Sequence, residues 1–263
     1  MKTAEQTKRK FIKIIYVLVA VIVALGAVLA FMLGQRAGAS KSDSEAVATA
    51  QHSAEASSDA ATSDSKTAAE KQAAQQVAGA QSLDDVLANH PESMTIGKAD
   101  APLVMREWID MGCPYCAKFT RETLPTLHKE YIATGKMRIE VRVVSFFDEG
   151  SRRGAVAAHA AAEQGKFKEF VEAVFDKAPT NGHPELSEQE LVAFAKTAGV
   201  PDIQKFQERL ADPQLQQKVV EETALAQQLG VNSVPFFAIG QTPITGAQPL
   251  ETFRTFIAEN SSN

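Results

Sequence analysis

The chain has 263 residues, 44% of them hydrophobic and 22% charged, with a formal net charge of −5. That charge is unevenly spread: residues 1–13 carry five cations and one acid, whereas residues 83–263 carry 18 cations and 25 acids, a net of −7. An acidic C-terminal region excludes nucleic acid as a partner, because phosphate binding relies on clustered Lys and Arg.

Residues 1–13 read as a cytoplasmic N-terminus, with Lys2, Lys8, Arg9, Lys10 and Lys13 set against Glu5 alone. Ile14 to Leu33 is an uncharged apolar run of 20 residues, long enough to cross a bilayer core of roughly 30 Å as a helix. Few cations follow it, so the charge bias holds the N-terminus in the cytoplasm and sends the remainder outside. A cleaved signal peptide is the alternative, with Ala37-Gly38-Ala39 as a small-residue cleavage site. The run exceeds the usual h-region of about 7–15 residues, which favours a retained anchor at 14–33. No cysteine stands between it and Cys113, so a lipid-modified N-terminal cysteine is excluded. Either reading places the folded region where disulfides persist.

Residues 34–82 are almost wholly Ala, Ser, Gln, Thr, Asp, Glu and Lys, without an aromatic residue. Such a stretch buries too little apolar surface to offset its ordering entropy, so a disordered linker is expected there. A flexible chain of that length has an end-to-end distance of about 40 Å.

A folded domain is expected over 83–263. Leu103 to Asp110 reads as a strand with Leu103, Met105, Glu107 and Ile109 on one face, and Trp108 and Asp110 opposite as structural or rim residues. Cys113-Pro114-Tyr115-Cys116 then opens a helix carrying Phe119, Leu124, Leu127 and Tyr131, bent at Pro125. Met137 to Val144 is a second strand, with Met137, Ile139, Val141 and Val143 inward and Arg138, Glu140 and Arg142 outward. Residues of about 151–230 are helical in pattern: Ser187 and Glu190 make a capping box, and Gly199 and Gly230 are helix stops. Short strands at Phe236–Ile239 and near Ile244 and a helix from Pro249 to about Glu259 complete an α/β domain with a helical subdomain inserted midway.

The chemistry concentrates at the only two cysteines. Pro114 suits the first helical position, which puts Cys113 at the N-cap with its sulfur facing free amides; these and the helix dipole favour a thiolate. Cys116 lies one turn on and deeper, so Cys113 exchanges with a partner and Cys116 resolves the mixed disulfide. A purely structural bridge is a poor explanation, since so small a loop stabilises little by chain entropy. Zinc wants about four ligands, and none is spaced for it. Covalent haem needs a histidine at position 117, which is alanine. No metal or other cofactor is therefore expected. Glu107, six residues before Cys113, is expected to be desolvated with a raised pKa and to shuttle a proton for Cys116; an edge-strand acid turned to water is the alternative. By base rate the Val234–Pro235 bond is expected to be trans. His159 reads as packed or surface, His128 and His183 have no evident partners, and Phe167, Phe170 and Phe175 read as subdomain core.

WIDMGCPYCAKF, MRIEVRVVSFF and GVNSVPFFAIG, taken together, resemble the DsbA-like branch of the thioredoxin superfamily over roughly residues 94–260. The resemblance implies a thioredoxin-like fold with a helical insertion, an exposed nucleophile at Cys113, a resolving Cys116 and a buried acid at Glu107. It implies a cis-proline at Pro235, against the base rate, and a Val234 backbone offered to an extended substrate. Glutaredoxins share the CPYC tetrad but have a much shorter separation between cysteine pair and proline. Strong oxidases of the branch often have histidine between the cysteines; Pro114-Tyr115 stands here and tunes the couple. The leading expectation is an oxidase serving reduced, unfolded exported proteins, recharged by a membrane partner resembling DsbB or a vitamin K epoxide reductase-like protein. A reductase or isomerase kept reduced by a membrane donor is the second, and a non-catalytic extracytoplasmic binding or chaperone module the third.

Overall fold

The computed structural model describes residues 86–261; the N-terminus expected at 1–13, the anchor at 14–33 and the linker at 34–82 lie outside them. Among the described residues no helix is long and apolar enough to cross a membrane.

Strands β1 (Thr95–Ile96), β2 (Leu103–Ile109), β3 (Met137–Val143), β4 (Phe236–Ile239) and β5 (Thr242–Thr245) form one sheet in the order β1-β3-β2-β4-β5. β2, the central strand, pairs in parallel with β3 from Leu103↔Met137 to Ile109↔Val143. The remaining pairs are antiparallel. A parallel pair needs a crossover, and helix α1, residues 114–132, provides it.

α1 alternates α-helical turns at Pro114–Lys118 and Leu124–Leu127 with π-helical turns at Phe119–Thr123 and His128–Ile132. Pro125 has no amide, and in an α-helix its ring collides with the carbonyl four residues back. π-pairing, with the Leu124 amide on the Phe119 carbonyl, accommodates it. The disturbance expected at Pro125 thus shows as widened turns on either side of it.

Between β3 and β4 lies the helical insertion: α2 (Glu149–Ala162), α3 (Phe167–Lys177), α4 (Glu188–Thr197), α5 (Ile203–Leu210) and α6 (Pro213–Gln228). The sequence signals hold. Ser187 and Glu190 form a reciprocal capping box, Gly199 and Gly230 follow their helices with φ of +71° and +83°, and Phe167, Phe170 and Phe175 are buried. The last helix, α7 (Leu250–Asn260), follows Pro249.

One sheet face carries Met105, Ile109, Ile139, Val141 and Phe237 into the main core with Phe119 of α1 and Phe253 of α7. Arg138, Glu140 and Arg142 do lie on the other face, but that face is also covered: Val86, Leu87 and Ala226 of α6 pack with Trp108. Glu140 pairs with two arginines, Arg106 Nε lying 3.4 Å and Arg138 Nη2 3.2 Å from its carboxylate. Arg142 donates to the Leu87 carbonyl at 2.7 Å. Alternation reports which face a side chain takes, not whether that face meets water.

Candidate active site

The dithiol stands where β2 gives way to α1. Cys113 caps the helix with extended dihedrals, φ −86° and ψ 117°, and Pro114 occupies the first turn. Its Sγ accepts the Cys116 amide at 3.4 Å and donates to the Val234 carbonyl at 3.5 Å. These contacts turn the sulfur inward, so the nucleophile expected to be exposed is only 2% accessible, and Cys116 is fully buried. Both are free thiols. The two differ electrostatically. Donation from the Cys116 thiol, helped by the Cys116 and Tyr115 amides, holds the Cys113 thiol below its ordinary value, against burial and the nearby charge of Asp110. Burial pushes Cys116 well up, reinforced by its bond to Cys113, by that thiolate's charge and by Glu107.

Glu107 is 3% exposed on the central strand, between Val141 of β3 and Phe237 of β4. Its Oε1 finds no hydrogen-bond partner. Desolvation lifts its pKa from 4.5 to about 8, so at neutral pH it is mostly a protonated acid. The edge-strand alternative is overturned by β2's central place.

The Val234–Pro235 bond is cis, as the resemblance implied and against the base rate. The Pro235 carbonyl accepts the Gly246 amide at 2.8 Å, fixing this turn at the head of β4. Tyr115, between the cysteines, is 63% exposed.

Two further groups brace the turn. Asp110, expected to be structural or at the rim, is structural: it is fully buried. It accepts the Gly112 amide at 2.8 Å, the Phe146 amide at 2.7 Å and the Ser151 hydroxyl, so it ties the cysteine turn to the β3–α2 loop and to α2. Burial raises its pKa while these donors pull it down. An Asp two residues before a Gly is an Asx-turn signal, and that was available in the sequence. His183, thought partnerless, has Nδ1 2.9 Å from the Gly112 carbonyl and stacks on Phe147 with centroids 4.1 Å apart. It arrives from a loop 71 residues downstream of Gly112 with no local signal. His159 is packed as expected, buried against Glu222 at 2.8 Å.

A low-pKa sulfur at a helix N-terminus, a buried partner thiol one turn on and a cis-proline turn against the pair define a thiol–disulfide oxidoreductase on a thioredoxin-like scaffold. The protein-family model described as Thioredoxin matches residues 88–259, and the chain belongs to that family. It is similar to the probable disulfide bond formation protein D of Bacillus cereus, 29% identical over 145 residues covering 54% of this chain and 67% of that protein. It is also similar to disulfide bond formation protein D of Bacillus subtilis, at 26% over 142 residues, 53% of this chain and 64% of that one. The chain thus spans about two thirds of the length of these relatives. Among solved structures, oxidised BdbD from Bacillus subtilis superposes with a TM-score of 0.62 at 22% identity, covering 67% of this chain and 95% of that one. The α-DsbA1 of Wolbachia pipientis gives 0.57 at 24%, covering 65% and 92%. These likenesses support the fold with its helical insertion.

Proposed function

We propose that the chain is a membrane-anchored, extracytoplasmic oxidase that gives its Cys113–Cys116 disulfide to reduced, unfolded exported proteins. The observation that carries this reading is the asymmetry of the two thiols, Cys113 held down and Cys116 pushed up. Stabilising the Cys113 thiolate stabilises the reduced protein and makes Cys113 the better leaving group, and both make the disulfide a donor.

In the cycle, a substrate thiolate attacks the Cys113 sulfur, the S–S bond breaks and Cys116 leaves as a thiolate. Glu107, protonated and buried nearby, gives that thiolate its proton. A second substrate thiolate then attacks the substrate sulfur of the mixed disulfide and expels the Cys113 thiolate. The substrate is oxidised by two electrons and the enzyme reduced by two. In the disulfide Cys113 has no proton to donate to the Val234 carbonyl, which is then free to accept from an extended substrate backbone beside Pro235. Pro114 and Tyr115 tune the couple, Pro114 by starting the helix and Tyr115 by aiming its amide at the thiolate. A membrane redox partner, DsbB-like or vitamin K epoxide reductase-like, withdraws the two electrons. The apolar run at 14–33 holds the domain at the membrane, and the linker at 34–82 lets it visit both partner and substrates. The acidic domain again leaves nucleic acid out.

The deciding measurement is the midpoint potential of the Cys113–Cys116 couple in glutathione buffers, read by thiol alkylation and Trp108 fluorescence. The expected value lies towards about −120 mV, that of a strong oxidant; about −270 mV, that of thioredoxin, would make the protein a reductase. Cys113→Ser is expected to abolish its effect on the refolding of a reduced multi-disulfide substrate. If no Cys113–Cys116 bond forms at any poise, a non-catalytic binding module takes the oxidase's place.

A further inference from the structure

The helical insertion contributes one side chain to the dithiol turn. The Gly112 carbonyl and the Cys113 amide belong to one peptide unit. Its N–H is fixed on the Asp110 carbonyl at 3.0 Å, and its C=O lies 2.9 Å from His183 Nδ1. A carbonyl only accepts, so Nδ1 carries the proton. The same glycine's own amide is held by the Asp110 carboxylate at 2.8 Å. The peptide leading into the nucleophile is therefore gripped from two sides, by Asp110 just past β2 and by His183 from the α3–α4 loop.

That loop is itself held with care. Leu186, three residues on, adopts φ +50°, a conformation that branched aliphatic residues avoid. Arg153 of α2 donates to the Leu186 carbonyl at 3.0 Å and the Glu185 carbonyl at 2.8 Å. Gly150 lets the loop approach so closely that a Cβ there would stand 2.2 Å from the Glu185 carbonyl oxygen. At Gly154 a Cβ would stand 2.7 Å from Met111 Cβ and 2.8 Å from Leu186 Cδ1. Phe147, 45% exposed, closes over the imidazole from the β3–α2 loop. A strained residue, two close-packed glycines and an arginine clamp thus converge on the loop that delivers His183, and an observed strain of this kind points towards function.

We propose that His183 is a positioning residue for thiol–disulfide exchange. Through the Gly112 carbonyl it fixes the peptide that aims the Cys113 sulfur at the helix amides. Donation to the carbonyl also polarises that peptide and so strengthens the bond from its N–H to the Asp110 carbonyl. The insertion thereby sets how oxidising the dithiol is. This inference rests on Cys113 being the exchanging thiol.

The test compares the full-length wild type with His183→Phe and His183→Asn. Phe keeps the stack on Phe147 and loses the donor; Asn keeps a donor near the place of Nδ1. The equilibrium constant against glutathione and the Cys113 pKa, from thiolate absorbance, are measured for all three. His183→Phe is expected to be less oxidising by about fivefold, or about 20 mV at 29.6 mV per tenfold, with a raised Cys113 pKa. His183→Asn is expected to stay within about twofold of wild type. A folded His183→Phe that coincides with wild type in both readouts overturns the assignment while leaving exchange at Cys113 intact. A wild type that never forms the Cys113–Cys116 bond overturns both. Should His183→Phe not fold, long-range ¹⁵N–¹H correlation on the wild type decides: a neutral His183 protonated at Nδ1 upholds the bond, and one protonated at Nε2 sinks it.

Discussion

At the scale of single residues, Glu107 is kept neutral by what it lacks. Val141 and Phe237 flank it across the sheet, and its Oε1 has no donor. Its folded pKa of about 8 stands above the ordinary 4.5, so between those values the folded chain keeps a proton that the unfolded chain has released. Stability therefore declines as pH rises through that window. Glu107→Gln removes the decline: denaturant unfolding of the reduced protein should show a gain of about 4 kcal/mol at pH 8 and almost none at pH 4. The same variant should slow substrate attack on the Cys113–Cys116 disulfide about tenfold or more at pH 7, because the leaving Cys116 thiolate loses its proton source. A variant faster or less stable than wild type at pH 8 would remove Glu107 from the role of buried acid. The cysteines, Glu107 and Pro114 were legible because their chemistry depends on local spacing: three residues along a helix, six from a strand face to a cap. His183 was not, because its partner lies 71 residues away in sequence and the contact exists only once the insertion has docked. The cis bond before Pro235 likewise needed the resemblance, since nothing local in Ser233-Val234-Pro235 distinguishes it from an ordinary strand start.

At the scale of elements, the start of α2 is where insertion and dithiol turn meet. Asp148 caps the helix through the Ser151 amide at 2.9 Å, Ser151 donates to Asp110, and Gly150 lies under the Glu185 carbonyl. Gly150→Ala places a methyl 2.2 Å from that oxygen, a backbone atom with no easy retreat. The expected cost is about 2–3 kcal/mol by overpacking, seen in thermal unfolding, with a weakened His183 contact and the same loss of oxidising power as His183→Phe. Asp148→Ala, losing only a cap, should cost about 1 kcal/mol and leave the dithiol unchanged. An unaltered stability in Gly150→Ala would mean that the loop moves freely. Element order, the two long strands and the helical block followed from periodicity and caps, because those are local. The π-turns of α1 did not, since a proline signals a disturbance and not which pairing absorbs it. Nor did the covered outer face of β3: Arg138, Glu140 and Arg142 alternate as surface residues do, yet Glu140 is buried and the two arginines half-buried, with Val86, Leu87 and α6 packing around Trp108 on that face.

At the scale of the whole molecule, the dithiol joins redox state to stability. Cys113 titrates below its ordinary value in the folded chain, so as pH rises from that lowered pKa towards the unfolded value of about 8.5 the folded reduced protein gains stability over its unfolded form. The gain disappears as pH falls through the folded pKa. Cys116 is shifted the other way, and its effect enters only above about 8.5, where the unfolded thiol ionises and the folded one does not. Glu107 contributes its own slope to both redox states and largely cancels from their difference. The disulfide form has no Cys113 thiolate, and its small loop adds at most about 2 kcal/mol by chain entropy. The midpoint of the reduced protein relative to the oxidised one is therefore expected to climb between pH 5 and pH 8, and Cys113→Ser should lack the climb. Calorimetry of both forms at the two pH values measures it directly. A difference that stays flat, or that moves in favour of the disulfide as pH rises, would mean that the folded structure does not stabilise the thiolate. The driving force for giving disulfides away would then be missing.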